Sequence, residues 1–201
     1  MKIAICPGHY PEAPGAYNEK FNLYEHFEAI KVCQYLSEFL KNENHIVEVF
    51  QGKLKDKVEQ INKGNFDLAL DIHFNADYDH LDPHDEDDRR GTGCMVMYCP
   101  GVDTYGKPEP ITPRRHQANK MSYVISRSLG MKNHGGRPGW YWGSNPPKSK
   151  DYFLKHTNCP AFIPEPLFID NNKDAEWLVE EKHSSVAEAI ARGIQAITEL
   201  L

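Results

Sequence analysis

Two histidines and two glutamates stand where a folded chain could bring them together for chemistry. His9 follows a short apolar run in Cys6-Pro7-Gly8-His9, and His73 follows another in Asp71-Ile72-His73. Glu25 lies between them at the head of a helical pattern, and Glu165 closes a third apolar run at Ile163-Pro164-Glu165. Two imidazoles and one carboxylate hold a metal through three protein ligands and leave a fourth position for water. That is the pattern of a catalytic zinc, whereas closed structural sites take four protein ligands, usually with cysteine. Iron or manganese also accepts such a set, but an octahedral redox site asks for further chemistry that the sequence does not display. Each residue alone has an ordinary reading: a glutamate in a first helical turn complements the helix dipole, and a lone histidine is usually a surface or hydrogen-bonded residue. The combination carries the signal. By residue type His26, His80, His84, His116, His134 and His156 compete for the ligand role, and spacing alone ranks them only weakly below His9 and His73.

The elements that must position these groups follow from periodicity. A strand over Lys2–Cys6 stops at Pro7-Gly8, and a loop rich in Pro, Gly and Asn runs from Tyr10 to Asn22. A helix from about Leu23 to Leu40 carries Phe27, Ile30, Tyr35, Leu36, Phe39 and Leu40 as its apolar stripe. A strand at Ile46–Phe50 precedes a helix at Lys53–Asn62, with Leu54, Val58 and Ile61 on one face. Phe66–Ile72 reads as a buried strand, Cys94–Tyr98 as another, and Gln117–Leu129 as a helix. A Gly/Pro/Trp-rich loop then runs to about Asn145, followed by a short helix before His156 and a strand at Ala161–Ile163. Residues 174–200 are helical with a break near His183. Strands alternating with helices predict an α/β fold, a mostly parallel twisted sheet covered by helices on both faces. The loops that begin at His9, His73 and Glu165 leave the carboxyl ends of strands, where such sheets place their ligands. With no linker, repeat or composition shift, residues 1–201 are expected to form one domain.

Composition narrows the partners. The formal net charge is −6 and no basic stripe offsets it, which argues against a nucleic-acid partner. No run approaches the ~18 apolar residues of a membrane span. The stretch Met1–Cys6 is too short for a secretory h-region, so a cytoplasmic location as synthesised is expected. The five cysteines lack paired CxxC spacing and read as reduced core residues. Nothing in the pattern bears on oligomeric state.

Four ordered segments carry a family resemblance. They are Cys6-Pro7-Gly8-His9, Glu25 at the head of its helix, Asp71-Ile72-His73-Phe74-Asn75-Ala76, and Pro160-Ala161-Phe162-Ile163-Pro164-Glu165-Pro166-Leu167-Phe168-Ile169-Asp170-Asn171. Together they resemble the zinc-dependent N-acetylmuramoyl-L-alanine amidases of the doubly wound α/β class, over nearly the whole chain. The resemblance implies one zinc ion on His9, Glu25 and His73, with Glu165 as the catalytic acid–base residue. It also implies peptidoglycan or its muropeptide fragments as substrate, cut between the lactyl group of N-acetylmuramic acid and the first L-alanine. The chain departs from the family pattern in the prolines on both sides of Glu165, and the segments Asp77–Arg90 and Gly135–Pro147 read as insertions.

Around these residues stand groups with two readings each. Asp71 is either an acceptor for a ligating imidazole or a strand-end carboxylate. Asn75 and Asn171 either bind substrate or make local turns, as short polar residues after strands do. Trp140 and Trp142, in Gly139-Trp140-Tyr141-Trp142-Gly143, either form a stacking wall for substrate or anchor the loop in the core. The acidic loop over residues 77–88 is a solvated insertion, a second cation site or a wall favouring a cationic peptide group. An amidase without a leader would reach the wall as a phage or prophage lysis enzyme, or recycle wall fragments in the cytosol. The competing functions are a zinc carboxypeptidase or N-acyl amino-acid amidohydrolase, and a catalytically silent amidase-like binding module, which the prolines beside Glu165 motivate.

Overall fold

The computed structural model describes residues 1–77, 91–99, 113–139, 151–179, 182–198 and 200. The first half runs β1 (Lys2–Pro7), β2 (Tyr17–Asn18), β3 (Leu23–Tyr24), α1 (Glu25–Asn42), β4 (Ile46–Val49), α2 (Leu54–Lys63) and β5 (Leu68–Ile72). The second half runs β6 (Cys94–Tyr98), α3 (Pro113–Leu129), β7 (Asn133–Pro138), α4 (Tyr152–His156), β8 (Ala161–Glu165), α5 (Asn172–Ala175) and α6 (His183–Thr198). A 3-10 turn at Glu176–Leu178 extends α5.

Six strands form one sheet in the order β4-β1-β5-β8-β6-β7. The first four run parallel to their neighbours, and β6 meets β8 antiparallel. β7 then follows β6 in parallel, so the sheet is mixed but mostly parallel, as expected. Side chains alternate between faces along each strand. Ile3, Ile5, Leu68, Leu70, Ile72 and Phe162 point into a large apolar layer beneath α1, α3 and α6. Ala4, Cys6, Ala69, Ala161 and Ile163 point the other way, into a smaller layer beneath α2 and α4. Among the described residues no helix is long and apolar enough to cross a membrane.

Three expectations need correction. The Gly-rich stretch after Leu129 is not all loop, because β7 occupies Asn133–Pro138 as an edge strand of the sheet. Its glycines serve close packing: a Cβ on Gly136 would lie 2.9 Å from the Ala118 Cβ and 3.1 Å from the Asn119 backbone nitrogen. The proposed insertion from Gly135 therefore begins inside the sheet. The loop over Tyr10–Asn22 contains β2, which pairs antiparallel with β3, so α1 starts at Glu25 rather than Leu23. Two-residue strands are too short to show a period. Finally, α3 starts at Pro113, four residues ahead of the expected Gln117; proline suits a first helical position because its missing N–H would be unpaired there anyway.

Candidate metal centre

The site stands where β1, β5 and β8 end. Cys6 is in register with Asp71 and Pro7 with Ile72, and Gly8 continues the ladder by donating its N–H to the Ile72 carbonyl at 2.8 Å. Gly8 thus lies beside His73, and a Cβ there would sit 2.7 Å from the imidazole. Only glycine leaves room for the ring. On the other side, Leu70 is in register with Phe162, and the His73 N–H donates to the Pro164 carbonyl at 3.1 Å. Three residues beyond that register, His73 and Glu165 become lateral neighbours on one face of the sheet.

Glu25 arrives from the first turn of α1. Tyr24, at the N-cap, makes no side-chain capping bond. Instead the carbonyls of Ala16 and Pro14 accept the N–H groups of Glu25 and His26, both at 2.9 Å, so the preceding loop satisfies the exposed helix start. The Glu25 carboxylate is 4% exposed. Its Oε1 accepts the Phe74 N–H at 3.1 Å and faces His73 Nδ1 at 2.8 Å. Its Oε2 accepts the Ala16 N–H at 3.0 Å and faces His9 Nε2 at 2.9 Å. One backbone donor per oxygen fixes the carboxylate plane so that each oxygen meets one imidazole. His9 itself has φ of 60°, a left-handed backbone uncommon outside glycine. The buried His26 supports that turn through Nδ1, 2.7 Å from the Gly8 carbonyl.

One ligand atom from each of His9, Glu25 and His73 falls within 4.8 Å of the others. Two imidazole nitrogens and a carboxylate oxygen so placed suit a single zinc with a free position. Among the described residues, His9 and His73 are the candidate histidines that join a cluster of possible ligands: His26 serves the Gly8 carbonyl, and His134 lies 2.7 Å from the Thr92 carbonyl, while His80 and His84 lie outside the described residues. Electrostatics agree with a cation site. Burial would raise the Glu25 carboxyl, but hydrogen bonds with His73 and His9 outweigh it and hold the group well below the carboxylate range. Burial likewise opposes a charged His73, yet Asp71 and Glu25 pull its pKa well above the usual imidazole value.

Glu165 behaves differently. It is 8% exposed, and burial, with the charges of Glu25 and Asp151 adding to it against that of His73, pushes its carboxyl up to about 7. A carboxylic acid near neutrality can both take and return a proton.

The remaining sequence candidates divide. Asp71 Oδ2 lies 3.3 Å from His73 Nε2, on the ring nitrogen opposite the one that faces Glu25. Asn75 is used by the framework: its backbone pairs with Leu167 and Ile169, and its side chain accepts the Ala76 N–H at 2.8 Å. Asn171 caps α5 by accepting the Lys173 and Asp174 N–H groups. Trp140, Trp142 and all of the acidic loop except Asp77 lie outside the described residues. Sequence reasoning missed Lys57, whose side chain is buried at the site's edge with Nζ 3.0 Å from Asp71 Oδ1.

Comparison with known proteins agrees with this arrangement. The chain is 27% identical over 200 residues to the N-acetylmuramoyl-L-alanine amidase CwlM of Bacillus licheniformis, covering 96% of this chain and 65% of that protein. Two uncharacterized Clostridium perfringens proteins match at 28% and 29% identity. This chain spans about half the length of those two curated relatives. Among solved structures, the amidase AmiC2 of Nostoc punctiforme superposes with a TM-score of 0.76 at 20% identity, covering 99% of this chain and 97% of that one. The catalytic domain of the endolysin CD27L, which targets Clostridia difficile, superposes with a TM-score of 0.71 at 20% identity, covering 97% of each chain. At these identities the superpositions establish the shared fold. Residues 3–196 match the family model described as N-acetylmuramoyl-L-alanine amidase, and this chain belongs to that family.

Proposed function

We propose that the chain hydrolyses the amide between N-acetylmuramic acid and the first L-alanine of peptidoglycan or its muropeptides, as one catalytic domain over residues 1–201. The observation that carries this reading is the convergence of His9, Glu25 and His73 within 4.8 Å, beside a buried glutamate on the next strand. His9, Glu25 and His73 would hold one zinc ion, which when bound supplies Lewis-acid polarisation of the scissile carbonyl and acidification of water. Glu165 takes the proton from the attacking water and returns it to the leaving nitrogen. That return is required because an amine anion is a very poor leaving group. Asp71 holds the far nitrogen of His73, so the near one stays turned toward Glu25. Trp140 and Trp142 are assigned to substrate stacking, while Asn75 and Asn171 shape the loops around the site.

Synthesis in the cytoplasm followed by phage-type release to the wall fits this activity. The test is to incubate zinc-analysed protein with intact wall and with soluble muropeptides and to identify the cut bond by mass spectrometry. Free stem peptides with an intact glycan are expected. Release of a terminal amino acid would instead make the protein a carboxypeptidase.

A further inference from the structure

Lysine is almost never fully buried unless paired, yet Lys57 is 1% exposed. It projects from α2 in the same turn as Val58, and Val58 and Ile61 are core residues of that face. An apolar side chain would serve the packing, and a buried ion pair is weak evidence for stability because desolvation offsets the attraction. The geometry gives Lys57 another task. Its Nζ donates to the Pro7 carbonyl at 2.8 Å and to Asp71 Oδ1 at 3.0 Å. Pro7 ends the strand that leads through Gly8 to His9, and Asp71 stands two residues before His73. One amine therefore ties together the two strand ends that carry the histidines.

The second oxygen of Asp71 completes the chain of contacts. With Oδ1 held by Lys57, Oδ2 is left facing His73 Nε2 at 3.3 Å, while Nδ1 of the same ring faces Glu25 at 2.8 Å. A carboxylate free to rotate about its own bond would not specify which ring nitrogen it meets. A carboxylate clamped at one oxygen does. We infer that Lys57 is a positioning residue of the metal centre, which by clamping Asp71 and the Pro7 carbonyl keeps the His73 ring turned with Nδ1 toward Glu25. This rests on the reading of His9, Glu25 and His73 as zinc ligands.

The test compares Lys57→Met, Asp71→Asn, the double variant and His9→Ala, with zinc affinity measured by chelator competition on samples shown to be folded. Outer partners of ligating histidines typically contribute about 10- to 100-fold in metal affinity. Lys57→Met and Asp71→Asn are each expected to lose about that much. The double variant is expected to be no weaker than the worse single one, because both act through one contact. Nitrogen-15 spectra of the zinc-loaded wild type are expected to show His73 protonated at Nε2, and Lys57→Met to alter that signal. Folded Lys57→Met with wild-type zinc affinity and an unchanged His73 signal overturns the inference, while zinc loss in His9→Ala leaves the ligand assignment standing. Unchanged zinc in His9→Ala overturns the assignment and this inference with it. Should Lys57→Met fail to fold, Lys57→Leu, which likewise carries no donor, is read by the same two criteria.

Discussion

The two faces of the sheet are made from the same strands and differ in what they can do. Beneath α1, α3 and α6, the strands contribute Ile3, Ile5, Leu68, Leu70, Ile72 and Phe162, all fully buried and branched or aromatic. On the opposite face the same strands contribute Ala4, Cys6, Ala69 and Ala161, small side chains with Ile163 as the one large residue among them, and the strands end in Gly8, Asp71, His73 and Glu165. Large residues fill the first layer and stabilise the fold by roughly 1.5–3 kcal/mol for each fully buried aliphatic side chain. Small ones on the second face bring α2 close enough for Lys57 to reach Asp71. Strand alternation thus divides labour: one face supplies stability, and the other gives up apolar burial near the strand ends for a group of charges.

The sharpest way to break this division is to remove a ligand. Alanine at His9, Glu25 or His73 is expected to abolish stoichiometric zinc and bring hydrolysis to background in protein that still folds, whereas alanine at His80 or His84 should leave both near wild type. Zinc retained in either the His9 or the His73 variant, by metal analysis of folded protein, would reassign the centre. Next in size is Glu165→Gln, which keeps the shape but cannot accept and return a proton. Its kcat should fall by roughly 10²–10⁴ with zinc content unchanged, and a near-wild-type kcat would remove Glu165 from the mechanism.

On the opposite face, Leu70→Ala is expected to cost about 2–5 kcal/mol in denaturant unfolding through lost burial and the cavity left behind. Zinc affinity of the folded protein should stay within about threefold, as expected for sites without shared partners. A tenfold loss would mean that the two faces are coupled through β5. The smallest effect concerns pH in chelator-treated protein. The Glu165 carboxyl sits at about 7 when folded against an ordinary 4.5. Below 4.5 both the folded and unfolded chains keep the proton, and the group costs nothing. Between 4.5 and 7 the unfolded chain releases it first, so its contribution to stability declines with rising pH and levels off above 7. The penalty is on the order of 3 kcal/mol at 1.36 kcal/mol per unit. Melting curves should therefore shift in favour of Glu165→Gln relative to wild type between pH 4.5 and 7.5, and parallel curves would show that Glu165 is solvated like a surface acid.

Much of this is legible in the residues themselves. His9, His73 and Glu165 each close an apolar run, so their position at strand ends follows from pattern, and the resemblance ranks them above the other histidines. Lys57 is hidden by its type. Its spacing from Leu54, Val58 and Ile61 is i+3 within an i, i+4, i+7 stripe, which places it on the buried face, but lysine reads as solvent-facing. The strand β7 is hidden by its glycines, which suggest a turn until the close approach of α3 is seen. No periodicity reveals that β6 runs against β8, because direction depends on how the chain between strands crosses the sheet. Asn171 is legible only as a polar residue after a strand, and its capping bonds appear once α5 is in place.

The Lys57–Asp71 pair also sets the electrical balance of the centre. Glu25, Asp71 and Glu165 are buried carboxylates, Lys57 is a buried amine, and imidazoles acting as ligands are neutral. With all three acids ionised, these four buried groups leave two negative charges, so a divalent ion brings the set to electroneutrality. Without Lys57 the same acids would leave three, and a divalent ion would then sit beside an uncompensated charge in a medium that penalises one heavily. The lysine thereby removes one negative charge from the set that a bound cation must balance.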